Sequence, residues 1–409
     1  MSELEKMPAM PGPATRAGRL RPVAAKPPGF PRARPLTAAP EAGGKPPRPR
    51  TGSPTDADWE GAPAPDPSES AAEAAAGGAR TGKARNIPIE EAILGLHRSR
   101  KGSVEEAVLE IYHAAISMRR AEAVARALWG PGASAATLSE QNQRIADRTL
   151  KWLNRPIHGD HAYVFLGMVA LKGRWGGDVR SIEILAAVGV NAQGFREVLG
   201  VAAGAPGGGS GWREFLGQLR RRGLAGVRLI VSAPAPEVAD AIADHFPEAA
   251  HQVCLRQVQH ELLARIPPSL LPGVTGALAA IFESGTRASA RLRTLRLLNE
   301  LEEMKLTAAA LYLRRTAARL GSYYAFPQEH WRILRSNFPL MRILRQIRER
   351  ARVVGTFADG DGAVLIASVR LRSVAEQWSG ARYRVDLGGL AERPGALAGE
   401  HGAARRAAG

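Results

Sequence analysis

The stretch that decides the fold is residues 162–204, AYVFLGMVALKGRWGGDVRSIEILAAVGVNAQGFREVLGVAAG. Its apolar residues fall in three runs. The breaks between the runs, Gly176-Gly177 and Gln193-Gly194, suit hairpin turns. The stretch therefore predicts three consecutive antiparallel strands.

The chain after these strands alternates between helical and strand patterns, which together with the three strands predicts an α/β mixed sheet of ribonuclease-H-like order. A glycine cluster over 207–211 begins this part and lacks the Lys-Ser/Thr of a phosphate-binding loop, so we interpret it as a turn. The predicted elements are a helix from Trp212 to Arg222, a strand over 227–233, a helix over 236–245, a strand over 251–255, helices over about 256–330 and a basic helix over 331–352.

The two ends of the chain are poor in core-forming residues. Residues 1–85 hold 16 of the 29 prolines, and proline lacks the donor that helix and ladder hydrogen bonds need. We expect a disordered arm over 1–85 and a disordered tail over 379–409, which is rich in Gly, Ala and Arg. Between them we expect a helical region over 86–155 and an α/β domain over 156–378, with an all-α insertion over about 256–330.

The helical region has the pattern of a helix-turn-helix. One helix ends near Leu128, the segment WGPGAS breaks the chain, and Thr137 or Ser139 opens a polar helix that ends near Leu153. An ordinary helical hairpin with a solvated face gives the same pattern. The residues that could reach base edges or phosphates are Ser139, Gln141, Asn142, Gln143 and Arg144.

Further upstream, Ser103 and Glu106 have the spacing of a capping box. The pair predicts the start of another helix.

The charge balance favours a polyanionic partner. The formal net charge is +17 at pH 7, and residues 1–85 contribute only +4 of it, from 13 basic and 9 acidic residues. An arginine-rich genome can produce the same excess. The single cysteine excludes a disulfide framework. The sequence contains no run of about 18 consecutive apolar residues, so it predicts no membrane span. With no signal-peptide pattern at the N-terminus, these features predict a cytoplasmic protein, associated with the nucleoid when bound to DNA.

Other candidate chemistry is weak, apart from the closing basic helix. Cys254 with His260 fits a buried core cysteine better than a metal or nucleophile pair.

In the closing basic helix, arginines recur at three- and four-residue spacing opposite an apolar stripe, which suits phosphate contacts. A solvated surface helix is the plainer alternative. The predicted DNA-binding residues here are Arg332, Arg335, Arg342, Arg345, Arg348 and Arg352.

About two-thirds of the chain, residues 103–378, resembles the Mutator-type insertion-sequence transposases of bacteria. The matching segments include YVFLGMVALK, VGVNAQGFREVLG, WREFLGQLRRRGLAGVRLIVSA, FPEAAHQVCLRQ and YYAFPQEHWRILRSN, in the order of the family. The resemblance implies a helical DNA-binding region and a ribonuclease-H-like catalytic domain with a helical insertion. It also implies an Asp-Asp-Glu site that holds two Mg²⁺ ions for strand cleavage and transfer at element ends.

This sequence departs from the family at the three carboxylates. Gly167 stands where the first aspartate is expected, Ala233 where the second is expected and Met341 where the glutamate is expected. The Cys-x-x-His of the family becomes Cys254-Leu-Arg-Gln257. Glycine, alanine and methionine offer no anionic oxygen to a hard cation, so we predict no metal site, no cofactor and no intact catalytic residue.

Three acidic residues further along the chain are too far from these positions to replace them. Asp178 follows Gly167 by eleven residues, across a predicted turn, and Asp240 falls on the helix after Ala233. Glu349 is eight residues after Met341, about 12 Å along a helix.

The function predicted from the sequence is therefore that of a family pseudoenzyme. It would bind the terminal inverted repeats of insertion sequences without catalysis, as a homo-oligomer or together with active relatives. Two alternatives remain open at this point. One is an active transposase with a non-standard Mg²⁺ site, and the other is an interaction protein that modulates an active relative.

Overall fold

The computed structural model describes residues 106–109, 118–130, 132, 134–175, 178–204, 209–354, 356–357, 360–379 and 384–391. The predicted arm over 1–85 lies outside these residues, as do Ser103 of the predicted capping box and the Gly176-Gly177 turn.

The centre of the described region is a five-stranded mixed sheet with the order β3-β2-β1-β4-β5. β1 pairs antiparallel with β2 and β2 with β3, whereas β4 runs parallel to β1 and β5 parallel to β4. This arrangement confirms the predicted mixed sheet of ribonuclease-H-like order. The strands are β1 (His161–Trp175), β2 (Asp178–Asn191), β3 (Arg196–Ala203), β4 (Leu229–Ser232) and β5 (Ala250–Val253).

The turn between β2 and β3 confirms the predicted Gln193-Gly194 break. The side-chain oxygen of Asn191 accepts hydrogen bonds from the backbone N–H groups of Gln193 (3.1 Å) and Phe195 (2.9 Å). Gly194 has a φ of +84°, a conformation that favours glycine.

Besides the helical residues 106–109, twelve α-helices lie around the sheet in the described part of the chain. They are α1 (Met118–Trp129), α2 (Ala135–Leu153), α3 (Gly209–Arg221), α4 (Pro236–His245), α5 (Leu255–Leu263), α6 (Leu271–Phe282), α7 (Arg287–Glu303), α8 (Thr307–Ala317), α9 (Trp331–Leu334), α10 (Phe338–Val354), α11 (Gly360–Ala375) and α12 (Gly388–Ala391). None of the helices in the described ranges combines the length and apolar character needed to cross a bilayer.

The central part of the sheet, where β1 pairs with β4, buries both of its faces. Successive side chains of a strand point to opposite sides, so the apolar runs of β1 and β4 divide between two core clusters. Val164, Leu166 and Ile230 belong to the cluster shared with α3 and α4. Phe165 and Val231 belong to the larger cluster shared with α10, α11 and the helices of the insertion. Burial on both faces explains why these strands read as continuous apolar runs.

The prediction of one basic helix over 331–352 is wrong, because residues 335–337 separate α9 from α10. Pro339 has no N–H to donate to the carbonyl four residues earlier, at Arg335. That carbonyl instead accepts from the backbone N–H of Leu255 (3.0 Å), and the hydroxyl of Ser336 accepts from the N–H of Phe338 (3.0 Å). The helix is therefore interrupted at residues 335–337, and the carbonyl of Arg335 bonds to the first residue of α5 instead of to a residue of its own helix.

Part of the predicted disordered tail packs on the domain. Val385 and Leu390 are buried, and α12 includes Leu390. His330 anchors this segment, since its Nε2 donates to the carbonyl of Asp386 (2.6 Å) and its Nδ1 accepts from the hydroxyl of Tyr163 (2.7 Å). Burial raises the pKa of Tyr163 well above its usual range. Too few apolar residues mark this segment for the composition alone to reveal it.

A buried ionic cluster ties the residues before α1 to the last two long helices. Arg350 of α10 donates to the carboxylate of Glu106, and Arg370 of α11 donates to both Glu106 (3.4 Å) and Gln346 (3.0 Å). Glu106 is 3% exposed, so its carboxylate lies in the core between three segments. The capping box predicted for Ser103 and Glu106 does not explain why the carboxylate of Glu106 is buried.

Candidate nucleic-acid interface and catalytic position

The structure brings the three positions of the expected carboxylates to one edge of the sheet. Phe165 of β1 pairs with Val231 of β4 in parallel register, and Gly167 and Ala233 each follow two residues later. α10 crosses β1 at Gly167 and carries Met341. The three positions therefore lie close together, beside the end of β4 and under α10.

The space beside Gly167 is filled by α10. A Cβ atom at Gly167 would lie 2.7 Å from Cδ1 of Leu344 and 3.1 Å from Cγ and Cδ2 of Leu340. Both leucines are 0% exposed, and Gly167 itself is buried. Leucine side chains therefore occupy the volume that a side chain at Gly167 would need.

Hydrogen bonds fix α10 in this position. The amide Nδ2 of Asn337, which is 0% exposed, donates to the carbonyl of Leu166 (2.6 Å), one residue before Gly167. Ser336 also contacts Cys254, with 3.3 Å between Oγ and Sγ. Cys254 is buried, as predicted for a core cysteine, and links the end of β5 to the start of α10.

The residues at this edge do not fit Mg²⁺. Gly167, Ala233 and Met341 provide no side-chain oxygen, and no group of three or more His, Cys, Asp or Glu in the described parts of the chain could hold a metal ion. Asp178 pairs with Trp175, eight residues along β1 from Gly167, or about 26 Å. Asp240 and Glu349 are exposed on α4 and α10.

A buried serine and histidine lie next to this edge, although no pattern in the sequence indicated them. Nε2 of His251 on β5 is 2.7 Å from the hydroxyl of Ser232 on β4, which also donates to the carbonyl of Ala233 (2.9 Å). Burial, with a smaller effect from Arg319, lowers the pKa of His251 to about 3, so its imidazole is neutral at pH 7. Because Ser232 is 0% exposed, this pair ties two strands together and offers no accessible nucleophile.

The exposed side of α10 is basic, while its opposite side faces the core. Leu340, Leu344 and Ile347 are 0% exposed. Among the predicted DNA-binding residues of this segment, Arg332, Arg345, Arg348 and Arg352 are exposed, whereas Arg335 and Arg342 are half-buried. We call Arg345, Arg348 and Arg352 the basic face; Glu349 is also exposed among them.

α2 exposes only some of its predicted contact residues. Ser134, not Thr137 or Ser139, caps the helix, accepting from the N–H of Thr137 (3.1 Å). Asn142 is half-buried, between Leu138 and Ile145 on the buried stripe of the helix. Gln141 is also half-buried, whereas Ser139, Gln143 and Arg144 are exposed. Arg144 pairs with Glu140 (2.6 Å) and Gln143 donates to Asp147 (3.0 Å).

Comparison with known proteins identifies close similarities over most of the chain. The family model described as "Transposase, Mutator family" matches residues 80–381. The transposase for insertion sequence element IS1081 of Mycobacterium tuberculosis is 31% identical over 278 residues, which are 68% of this chain and 67% of that protein. The transposase for insertion sequence element ISRM5 of Rhizobium meliloti is 27% identical, over 69% of this chain and 71% of that protein.

Among solved structures, the Drosophila P element transposase strand transfer complex gives a TM-score of 0.33 at 10% sequence identity, covering 73% of this chain and 97% of that one. A similarity at that level does not establish a shared fold.

Proposed function

Because the chain belongs to the Mutator family of transposases, we propose that it binds the DNA ends of insertion sequences and does not catalyse strand transfer. The family relation and the net charge of +17 support DNA as the partner. Two observations at the edge of the sheet support the loss of catalysis: the missing carboxylates and the filled space beside Gly167. The filled space is the stronger of the two.

Two features oppose catalysis: the lack of anionic oxygens that could bind a cation, and the filled space beside Gly167. Two-metal catalysis needs anionic oxygens that hold two cations about 3.5–4 Å apart. Gly167, Ala233 and Met341 supply none, and Leu340 and Leu344 fill the space beside Gly167, where the first ligand is expected from the resemblance. A single lost carboxylate leaves room for water as a substitute ligand, whereas packed leucine side chains exclude water as well.

The experiment is a strand-transfer and nicking assay of the full chain on DNA that carries insertion-sequence ends, over a series of Mg²⁺ and Mn²⁺ concentrations. The proposal expects a shift of end-containing DNA in a binding assay and no cleaved or joined product. An active relative, assayed in parallel, shows that the DNA and buffer support the reaction. Metal-dependent product from the purified chain would refute inactivity and favour an active enzyme with a non-standard site.

DNA contact is proposed for the basic face of α10 and for the exposed residues Ser139, Gln143 and Arg144 of α2. The three arginines of the basic face, Arg345, Arg348 and Arg352, lie at three- and four-residue spacing on one side of a helix whose other side is fixed in the core. Such a rigid row can contact successive phosphates, and each contact releases a counterion on binding.

We expect Arg345→Gln, Arg348→Gln and Arg352→Gln together to weaken DNA binding in a salt-dependent way. Each lost phosphate contact reduces the slope of log K against log salt by about 0.9, so the slope should become shallower by roughly 3. Titrations of labelled duplex DNA at four or more salt concentrations measure this slope.

The matched control removes the same charge from elsewhere. Arg296→Gln, Lys305→Gln and Arg315→Gln alter exposed residues of the insertion and reach the same net charge. The proposal expects this variant to keep a slope within about 1 of the natural chain. Equal losses in both variants would indicate general charge attraction and contradict a defined interface on α10.

A further inference from the structure

A large cleft separates the sheet domain from the helical insertion. It has a volume of about 1860 Å³ and lies between α4 and β5 on one side and α7 and α8 on the other. Its walls are mostly apolar and include Ile242, Phe246 and Tyr324. Leu292 and Leu295 of α7 line it too, although they are 69% and 47% exposed. Exposed leucines on the wall of a cleft are typical of a surface that binds an apolar partner.

The rim of the cleft is basic. Four arginines line it: Arg287, Arg291, Arg314 and Arg319. Among the described residues that line the cleft, one is acidic, Glu248. Arg314 also pairs with Glu302 outside the cleft. The occupant that fits both properties carries a large apolar side chain flanked by carboxylates.

The chain itself contains such a segment. Residues 51–79 include no lysine or arginine but six acidic residues, while residues 6–50 include ten basic residues and one acidic residue. The six acidic residues lie within residues 56–73, here called the acidic segment, and Trp59 lies in it between Asp58 and Glu60. Tryptophan is the side chain most enriched among the dominant residues of protein interfaces. This block of negative charge repels DNA, so DNA binding does not explain it.

We propose that the acidic segment of the same chain, residues 56–73, docks in this cleft. Trp59 contacts Leu292 and Leu295, and the flanking carboxylates lie beside Arg287 and Arg291. The chain is long enough, because the 33 residues from Glu73 to Glu106 can span up to about 115 Å. A compact domain of about 270 residues has a radius of gyration of only about 18 Å.

Duplex DNA fits the cleft less well than this segment does. Its phosphates complement the arginines, but a stacked duplex presents no large apolar group that would cover Leu292 and Leu295. Docking of residues 56–73 would also neutralise part of the rim, so this cleft would be closed to nucleic acid. The basic face of α10 shares no residue with the cleft, and the proposal is therefore independent of the DNA-binding proposal above.

The test measures how fast a thiol in the cleft reacts. Leu292→Cys in the full chain places a thiol in the wall, and the native Cys254 is buried at 1% exposure. In a second chain with the same thiol, the acidic segment is altered by Asp56→Asn, Asp58→Asn, Trp59→Ala and Glu60→Gln. A cleft that is covered nine-tenths of the time reacts at one tenth of the open rate, so we expect labelling by a maleimide to become about tenfold faster in the altered chain.

A thiol at Val179→Cys is the control, because Val179 is 59% exposed on β2 and does not line the cleft. Its labelling rate should be the same with and without the altered segment. An unchanged rate at position 292, or an equal change at both positions, would overturn the proposal. Protection at position 292 that increases with protein concentration would also overturn it, since the occupant would then belong to a second copy.

Discussion

Gly167→Asp is expected to lower the free energy of unfolding by about 3–5 kcal/mol, even though aspartate is the residue expected there from the family resemblance. Its Cβ would be 2.7 Å from Leu344 and 3.1 Å from Leu340, so both buried leucines would have to move. The new carboxyl would also be desolvated without a cation beside it. Urea unfolding followed by circular dichroism measures the change, at constant slope with denaturant.

Gly167→Ala separates the two contributions to this loss. It adds the same Cβ without a charge, and the overlap with Leu344 is partly offset by the roughly 0.5–1 kcal/mol that alanine gains over glycine in a strand. We expect alanine to cost clearly less than aspartate. If Gly167→Asp leaves stability unchanged, the space beside Gly167 is open, and filled volume no longer supports the proposed loss of catalysis.

The same packing predicts that restoring the three carboxylates alone does not restore metal binding. Gly167→Asp with Ala233→Asp and Met341→Glu should show no stabilisation by Mg²⁺. A bound cation at 100 times its dissociation constant would instead add about 2.7 kcal/mol. Adding Leu344→Ala opens the volume at Gly167, and this fourth change should recover part of the lost stability. Mg²⁺-dependent strand transfer by the triple variant would contradict the prediction.

Glu106→Ala is expected to be about as destabilising, at about 3–5 kcal/mol. The carboxylate is 3% exposed, and the side chains of Arg350 and Arg370 that it contacts are 9% and 18% exposed. Removing it leaves two guanidinium groups close together in the core without the carboxylate that balances them. Because Glu106 joins the segment before α1 to α10 and α11, chemical denaturation should show the loss across the whole domain.

Two controls define what the cluster contributes. Glu140→Ala removes the partner of Arg144 in an ion pair whose side chains are about 60% exposed, and we expect a loss below about 0.5 kcal/mol. Replacing Glu106, Arg350 and Arg370 together by Met or Leu removes the charges as a set, which is often neutral or stabilising. A Glu106→Ala effect as small as that of Glu140→Ala would show that water reaches the cluster.

Some features of the candidate interface could be predicted from the sequence, and others could not. Helical spacing identified the arginines of α10 as one row, and the row is exposed at Arg345, Arg348 and Arg352. The same spacing could not show that Asn142 lies on the buried stripe of α2, because polar residues are common on both sides of a short helix. It also could not show that Pro339 leaves the carbonyl of Arg335 to Leu255, a partner 80 residues away.

The sequence by itself determined the mixed sheet, the order of its elements and the absence of carboxylates at Gly167, Ala233 and Met341. These follow from local properties: apolar runs, turn residues and side-chain identity are fixed residue by residue. Only the tertiary structure decided that Leu340 and Leu344 fill the space at Gly167, that Glu106 is buried against Arg350, and that a basic cleft with apolar walls adjoins the insertion. Each of these depends on contacts between segments far apart in the chain, and close packing sets such contacts only when the whole domain is assembled.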